Sequence, residues 1–93
     1  MIIYPVDQLV DDLTFEEGYR AHSYVCTAGA VTVGVGRNID ADAGGLGISE
    51  DEAKYMLRND INRSIIECQK FDFFVDLDTQ RQGVLIHLCF WLG

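Results

Sequence analysis

The sequence predicts an α+β fold in which a small β lobe lies between helices. Two amphipathic patterns of helical period flank a central segment in which small and β-branched residues alternate. A third observation, an almost entirely apolar run over residues 84–92, predicts a further helix. A protein of 93 residues can form one thin hydrophobic core, so we expect a single domain over residues 1–93.

The first predicted element is a short amphipathic helix over residues 6–17. Its apolar residues recur at helical spacing, its acidic residues occupy other faces, and Gly18 follows as a stop signal. Glu17 would then lie at the C-terminal end of the helix, where the helix dipole is negative and disfavours a charged carboxylate. Without a motif around it, such a residue is ordinarily a solvated terminal glutamate.

The β lobe is predicted over about residues 19–47. Residues 23–25 and 31–35 have the composition of strands, and residues 27–29 have that of the turn between them. Gly34 and Gly36 alternate with valines in the second strand. Glycine at alternate strand positions indicates that a ligand or another part of the backbone approaches closely.

A loop rich in Asp and Gly is predicted over residues 40–47. Asp40 and Asp42 have the spacing that begins a calcium-binding loop. However, Gly44 and Gly45 stand where such a loop has another oxygen ligand and a spacer. We therefore expect an acidic turn without a metal ion.

A longer connecting helix is predicted over about residues 50–68. Ser49 and Glu52 have the spacing of a capping box, in which each side chain bonds to the backbone amide of the other residue. Glu50 and Lys54 form a favourable pair four residues apart. The apolar stripe of this helix comprises Ala53, Met56, Leu57, Ile61, Ile65 and Cys68.

The last predicted helix covers about residues 79–92. Residues 84–92 are apolar nearly all the way round, which is typical of a buried core helix. The run is too short to cross a membrane, which takes about 20 apolar residues. We expect this surface to be covered by additional residues, by a second copy in a homodimer, or by a different protein.

The net charge of the protein favours some classes of binding partner and disfavours others. Fifteen acidic residues against seven basic ones give a net charge of −8, which disfavours direct binding to nucleic acid. Such a surface serves solubility, and it also suits a basic partner. The three cysteines are an odd number without metal-ligand spacing, as in proteins of a reducing cytoplasm. We expect no cofactor, no metal, no membrane association and no secretory signal.

One constellation of residues is more specific than its parts. Glu17, Cys26 and Thr32 are separated by eight and then five residues. They stand in a frame that comprises Gly18, Arg20, Tyr24, Gly34 and Gly36. This pattern resembles the bacteriophage-type lysozymes, the muramidases that cut the glycan of bacterial cell walls. The segments GLGISEDEAKYMLRNDI and RQGVLIHLCFWLG extend the resemblance over about residues 9–93.

The resemblance implies a lysozyme-like fold and the hydrolysis of peptidoglycan glycan strands. Glu17 would be the general acid, Cys26 would take the second catalytic role, and Thr32 would hold the water. Many family members carry aspartate at the position of Cys26, and some carry cysteine. Apart from the resemblance, Cys26 is ordinarily a small buried hydrophobe and Thr32 a strand residue.

This sequence also departs from the family pattern. Several further helices follow in the family, so we expect a member that is shortened at its C-terminal end, with an incomplete helical lobe. Arg37 replaces a histidine and Trp91 an asparagine. An alternative function is therefore that of an inactive, lysozyme-like phage or prophage protein that binds or inhibits a host protein. Either form is expected in the bacterial host cytoplasm, and an active one would reach the cell wall only after release.

Overall fold

The computed structural model describes residues 5–92 and confirms an α+β fold. These residues form three helices and a small sheet: α1 (Val6–Glu17), β1 (Arg20–Val25), β2 (Val31–Gly34), β3 (Arg37–Asn38), α2 (Glu50–Cys68) and α3 (Thr79–Leu92). Short 3-10 turns cover Ala41–Ala43 and Asp72–Asp76. The protein divides into two compact units, residues 1–48 and residues 49–93. The first four residues, where no secretory signal is expected, and Gly93 lie outside the described residues.

In the first unit, α1 has the predicted bounds and ends where Gly18 follows. The Gly18 amide donates to the carbonyl of Thr14 and closes the last turn. None of the α1 residues is buried, although the apolar residues recur as predicted. The helix therefore positions Glu17 at its end without contributing to a buried core in the described residues.

The sheet is antiparallel, with strand order β1-β2-β3. The sequence did not predict β3, which pairs with β2 through Val33 with Arg37 and Thr32 with Asn38. The predicted second strand is also shorter, because β2 ends at Gly34. Gly34 and Gly36 have φ values of 67° and 69°, in the left-handed region that favours glycine. These glycines therefore serve the reversal of the backbone between β2 and β3 rather than an extended strand.

The loop after β3 is held by side chains of its own residues. The Asp40 carboxylate accepts from the amides of Val31, at 3.2 Å, and Asp42, at 3.1 Å. The Asn38 side-chain oxygen accepts from the Asp40 amide at 2.9 Å. A methyl group at Gly45 would lie 2.5 Å from both the Asn38 oxygen and the Asp40 nitrogen. The Asp40 carboxylate therefore links this loop to the start of β2.

In the second unit, α2 begins at the predicted capping box. The Glu52 amide donates to the Ser49 hydroxyl at 3.1 Å, and the Ser49 amide donates to the Glu52 carboxylate at 2.9 Å. The predicted pair of Glu50 and Lys54 is present at 3.1 Å. Within α2, Ser64 and Cys68 are buried. Much of the predicted apolar stripe is exposed to solvent, including Met56, Leu57 and Ile61.

The predicted helix α3 is present, but the expected burial of this helix is not found in the described residues. None of the α3 residues is buried, and Val84 and Trp91 are 56% and 73% exposed. The physical reason is that α3 packs chiefly against α2 within the described residues, whereas its sequence is apolar on nearly every side. No helix among residues 5–92 is long and apolar enough to span a lipid bilayer.

Candidate active site

The three candidate residues lie in the first unit. Glu17 is the last residue of α1 and is exposed. Cys26 directly follows β1 and is half-buried, and Thr32 is the second residue of β2 and is only 3% exposed. The site is therefore built on a helix end and on the hairpin formed by β1 and β2.

The hairpin register places several of the motif residues on one face of the sheet. Tyr24 pairs with Thr32, and one step further the Cys26 amide donates to the Ala30 carbonyl at 2.9 Å. Because side chains alternate between faces along a strand, Tyr24, Cys26, Ala30 and Thr32 share a face. The Arg20 guanidinium lies 4.5 Å from the centre of the Tyr24 ring, a cation–π contact that extends this face.

Hydrogen-bond donors surround the Cys26 sulfur. The largest effect comes from the Ala30 amide, followed by the Thr32 hydroxyl and the Ala28 amide, with a smaller one from Gly29. These donors stabilise the thiolate and lower the pKa of Cys26 below its ordinary value, against a weaker opposing effect of burial. The arrangement therefore shifts the ionisation of Cys26 toward the thiolate.

Thr32 contacts both the sulfur and the backbone of the turn. Its hydroxyl donates to the Ala30 carbonyl at 2.9 Å, and it also lies within hydrogen-bonding reach of the Cys26 sulfur. A hydroxyl has one proton and two lone pairs. The proton can therefore turn from the carbonyl to the sulfur when the thiol ionises, while the oxygen keeps an acceptor site for a water molecule.

Glu17 lies against the turn between β2 and β3. A methyl group at Gly36 would be 3.2 Å from the Glu17 carboxylate oxygen Oε2. The alternating glycines predicted the approach of a ligand or of backbone, but the group beside Gly36 is the Glu17 side chain. Among the described residues, no group beyond the chain neighbours lies within 4 Å of a methyl group placed at Gly34. Cys26 and Thr32 are thus in contact with each other, whereas Glu17 contacts Gly36.

Arg37, which stands where the resemblance places a histidine, has a structural contact within the first unit. Its guanidinium Nη1 donates to the Gly47 carbonyl at 3.1 Å. This bond joins β3 to the end of the following loop. Arginine is therefore accommodated at this position, because its long side chain reaches the Gly47 carbonyl.

The amide donors around Cys26 were missed by sequence reasoning. The signal was present in the small residues of the turn, Ala28, Gly29 and Ala30, which leave the backbone N–H groups accessible. Gly29 has a φ of 86° and its amide also donates to the Cys26 carbonyl at 2.9 Å.

Among residues 5–92, no three His, Cys, Asp or Glu side chains are grouped as a metal site would require.

A protein-family model described as phage lysozyme matches residues 14–93, a segment that contains Glu17, Cys26 and Thr32. The chain belongs to the phage lysozyme family. The α+β architecture agrees with that membership, and a lysozyme-like function in general follows from it. No curated protein matches the sequence. In this phage lysozyme family member, Cys26 contacts Thr32, and Glu17 lies at the end of α1.

Proposed function

We propose that this member of the phage lysozyme family hydrolyses the glycan strands of bacterial peptidoglycan. The proposal takes residues 1–93 as one functional domain, and it assigns Glu17, Cys26 and Thr32 to catalysis without a cofactor. The substrate is a cell-wall polymer, which the protein would meet after release from the host cytoplasm.

The reaction needs a proton donor for the leaving oxygen and a second group at the anomeric carbon. Glu17 would donate the proton, since it is the exposed carboxyl group of the motif. Cys26 would either attack the anomeric carbon or activate a water molecule. Thr32 would orient that water through the acceptor site of its hydroxyl.

The observation that carries the proposal is the set of donors around the Cys26 sulfur. An ordinary thiol is mostly uncharged at neutral pH and is a poor substitute for a catalytic carboxylate. Three backbone amides and the Thr32 hydroxyl lower the pKa of Cys26 and favour its anionic form. An anionic sulfur can balance the positive charge that develops on the sugar ring, as a carboxylate does.

The test is the clearing of a peptidoglycan suspension by the parent protein and by its Glu17→Gln variant. Because an amide cannot donate the required proton, we expect Glu17→Gln to clear at least about 100-fold more slowly. Glu16→Gln is the matched control, since Glu16 is also exposed, lies in the same helical turn and makes the same change of charge. It should clear at nearly the parent rate.

Each result has a definite meaning. Clearing by the parent and by Glu16→Gln alone supports the assignment of Glu17. Equal clearing by Glu17→Gln would exclude Glu17 as the acid, and the absence of clearing by a folded parent would reject hydrolysis. Circular dichroism of all three proteins would verify that the folds are comparable.

A second candidate function is favoured by the apolar exposure of α3. Val84 and Leu88 are 56% and 44% exposed, which is unusual for an apolar segment of a soluble domain. In this alternative, the protein is an inactive, acidic binding or inhibitor protein, and residues 84–92 are covered by a host protein or by a second copy. This alternative would be supported if the protein does not clear peptidoglycan and binds a basic host protein. It would also be supported if the inactive protein forms a homodimer that Leu88→Asp dissociates.

A further inference from the structure

Two sulfur atoms of the second unit lie unusually close together. Cys68 is the last residue of α2, Cys89 lies on α3, and their Sγ atoms are 3.1 Å apart. Nonbonded carbon atoms in a packed interior are separated by about 3.5–4.0 Å. A disulfide needs a separation of about 2.05 Å, so the sulfur atoms have about 1 Å to travel.

The two thiols differ in their access to reagents. Cys68 is fully buried, with an exposed fraction of 0%. Cys89 is half-buried and lines an open groove of about 930 Å³, together with residues that include Ser64, Glu67 and Lys70. A small molecule that enters the groove therefore meets the sulfur of Cys89 first.

We propose that Cys68 and Cys89 form an oxidisable dithiol site, which a small-molecule disulfide converts into an intramolecular disulfide joining α2 to α3. The proposal is independent of peptidoglycan hydrolysis, because both residues lie in the second unit and the candidate catalytic residues in the first. It also differs from the sequence expectation of cysteines without disulfides. Disulfides form and persist in oxidising compartments such as the bacterial periplasm.

The chemistry proceeds in two exchange steps. The Cys89 thiolate attacks one sulfur of the small disulfide, the sulfur–sulfur bond of the reagent breaks, and one thiolate leaves. That thiolate takes the proton of Cys68, and the Cys68 sulfur then attacks Cys89 and expels the second thiolate. The leaving thiolate takes up the proton that Cys89 lost. The protein thus loses two electrons and two protons, and the reagent is reduced to two thiols.

The burial of Cys68 supports this order of attack. Burial, followed by the neighbouring Cys89 sulfur, raises the pKa of Cys68 to about 11. Cys68 therefore stays protonated at neutral pH and is shielded from the reagent. It acts as the resolving thiol, at the short distance that makes the second step intramolecular.

The first measurement is a peptide map of the folded, reduced protein after exposure to oxidised glutathione. After alkylation of the remaining thiols, cleavage at Lys and Arg separates the cysteines into residues 21–37, 64–70 and 82–93. We expect residues 64–70 and 82–93 to be joined by a disulfide, with Cys26 outside it. Alkylation of both Cys68 and Cys89 in unlinked peptides, or their linkage to Cys26 or to another molecule of the protein, would overturn the proposal.

Single substitutions test the order of attack. Cys68→Ala should accumulate a mixed disulfide between Cys89 and glutathione, because the resolving thiol is absent. Cys89→Ala should leave Cys68 unmodified, because the buried sulfur is not reached. Rapid modification of Cys68 in the folded Cys89→Ala variant would contradict the assigned roles. Oxidation of the parent in urea provides the control, since all three pairings of the cysteines should then compete.

The thermal midpoint gives a second readout. A link between residues 68 and 89 restricts the unfolded state, so oxidation should raise the Tm of the parent by roughly 10 °C. Cys68→Ala should show no such rise with oxidised glutathione. An oxidised, linked parent whose Tm equals that of the reduced form would refute the stabilising role of the bond.

Discussion

Cys26 illustrates how neutral backbone amides can stabilise the charged form of a side chain. The resemblance implies a carboxylate at this position in many relatives, and a thiol in its place must lose its proton to carry the same charge. The amides of Ala30, Ala28 and Gly29 and the Thr32 hydroxyl provide that stabilisation through hydrogen bonds. The turn between β1 and β2 is thus part of the proposed site, and its conformation affects the chemistry directly.

Two substitutions of Cys26 should differ in their effect on activity. Cys26→Asp retains an anionic side chain, so we expect clearing of peptidoglycan within about 10-fold of the parent rate. Cys26→Ser has nearly the same size but an alcohol that stays neutral, and it should clear at least about 100-fold more slowly. The initial rate of turbidity loss measures both. Full activity of Cys26→Ser would reduce Cys26 to a packing role.

The pH dependence of the clearing rate provides an independent test of the role of Cys26. If the thiolate and the protonated Glu17 carboxyl are both required, the clearing rate is bell-shaped in pH, because the two groups must be in opposite protonation states. Because the hydrogen-bond donors lower the pKa of Cys26, the optimum should lie below the ordinary thiol value of about 8.5. The rising limb should move to more acidic pH in Cys26→Asp. An unchanged limb in that variant would assign it to another group.

At the scale of the secondary-structure elements, the start of α2 depends on two short hydrogen bonds. Ser49 and Glu52 exchange side-chain and backbone contacts at 2.9 Å and 3.1 Å. They satisfy amides that the helix itself leaves without partners. The connecting helix therefore has a well-defined first residue.

Removal of this cap should destabilise the protein. We expect Ser49→Ala to lower the free energy of unfolding by about 1 kcal/mol, because the Glu52 amide loses its acceptor. Ser49→Asp, which also accepts at this position, should retain most of the stability. Urea denaturation of both variants measures the difference. Equal midpoints for Ser49→Ala and the parent would show that the cap does not limit stability.

An element can be predicted from the sequence when the residues that determine it lie within the element or beside it. The bounds of α1 and α2 follow from periodicity and from capping residues such as Ser49, all within the element or beside it. The strand β3 has two residues and forms through pairing with β2, so its own composition gave little signal. The contact of Glu17 with Gly36 likewise joins residues 19 positions apart.

The candidate site was predicted as a set of residues but not as a geometry. The spacing of Glu17, Cys26 and Thr32 indicated which side chains to consider. It could not indicate that backbone amides would surround the Cys26 sulfur, since that depends on the conformation of the turn. Apolar composition likewise predicted burial of α3, but the packing partners that decide burial are not encoded in the helix itself.

At the scale of the whole molecule, the dominant property is a net charge of −8. Bacterial cell-wall polymers are largely anionic, so the protein and its proposed substrate repel each other at long range. Repulsion lowers the rate of encounter and is screened by salt, with a Debye length of about 30 Å at 0.01 M and 8 Å at 0.15 M. The acidic surface therefore opposes the first step of the proposed function.

Added salt should consequently accelerate clearing at low ionic strength. We expect the initial rate to rise severalfold between about 0.01 M and 0.15 M sodium chloride, because screening removes the repulsion. Peptidoglycan stripped of its anionic polymers is the matched control and should show a weaker rise. A rate that falls steadily with salt would indicate that attraction to a basic region governs the encounter instead.

The distribution of the three cysteines has a practical consequence for spectroscopy. Oxidation of Cys68 with Cys89, as proposed, would withdraw both from reaction with alkylating reagents and leave Cys26 as the remaining thiol. That sulfur is also the one whose ionisation the turn favours. A fluorophore or spin label would therefore attach beside Thr32, where it would occupy the proposed site and report on the conformation of the turn between β1 and β2.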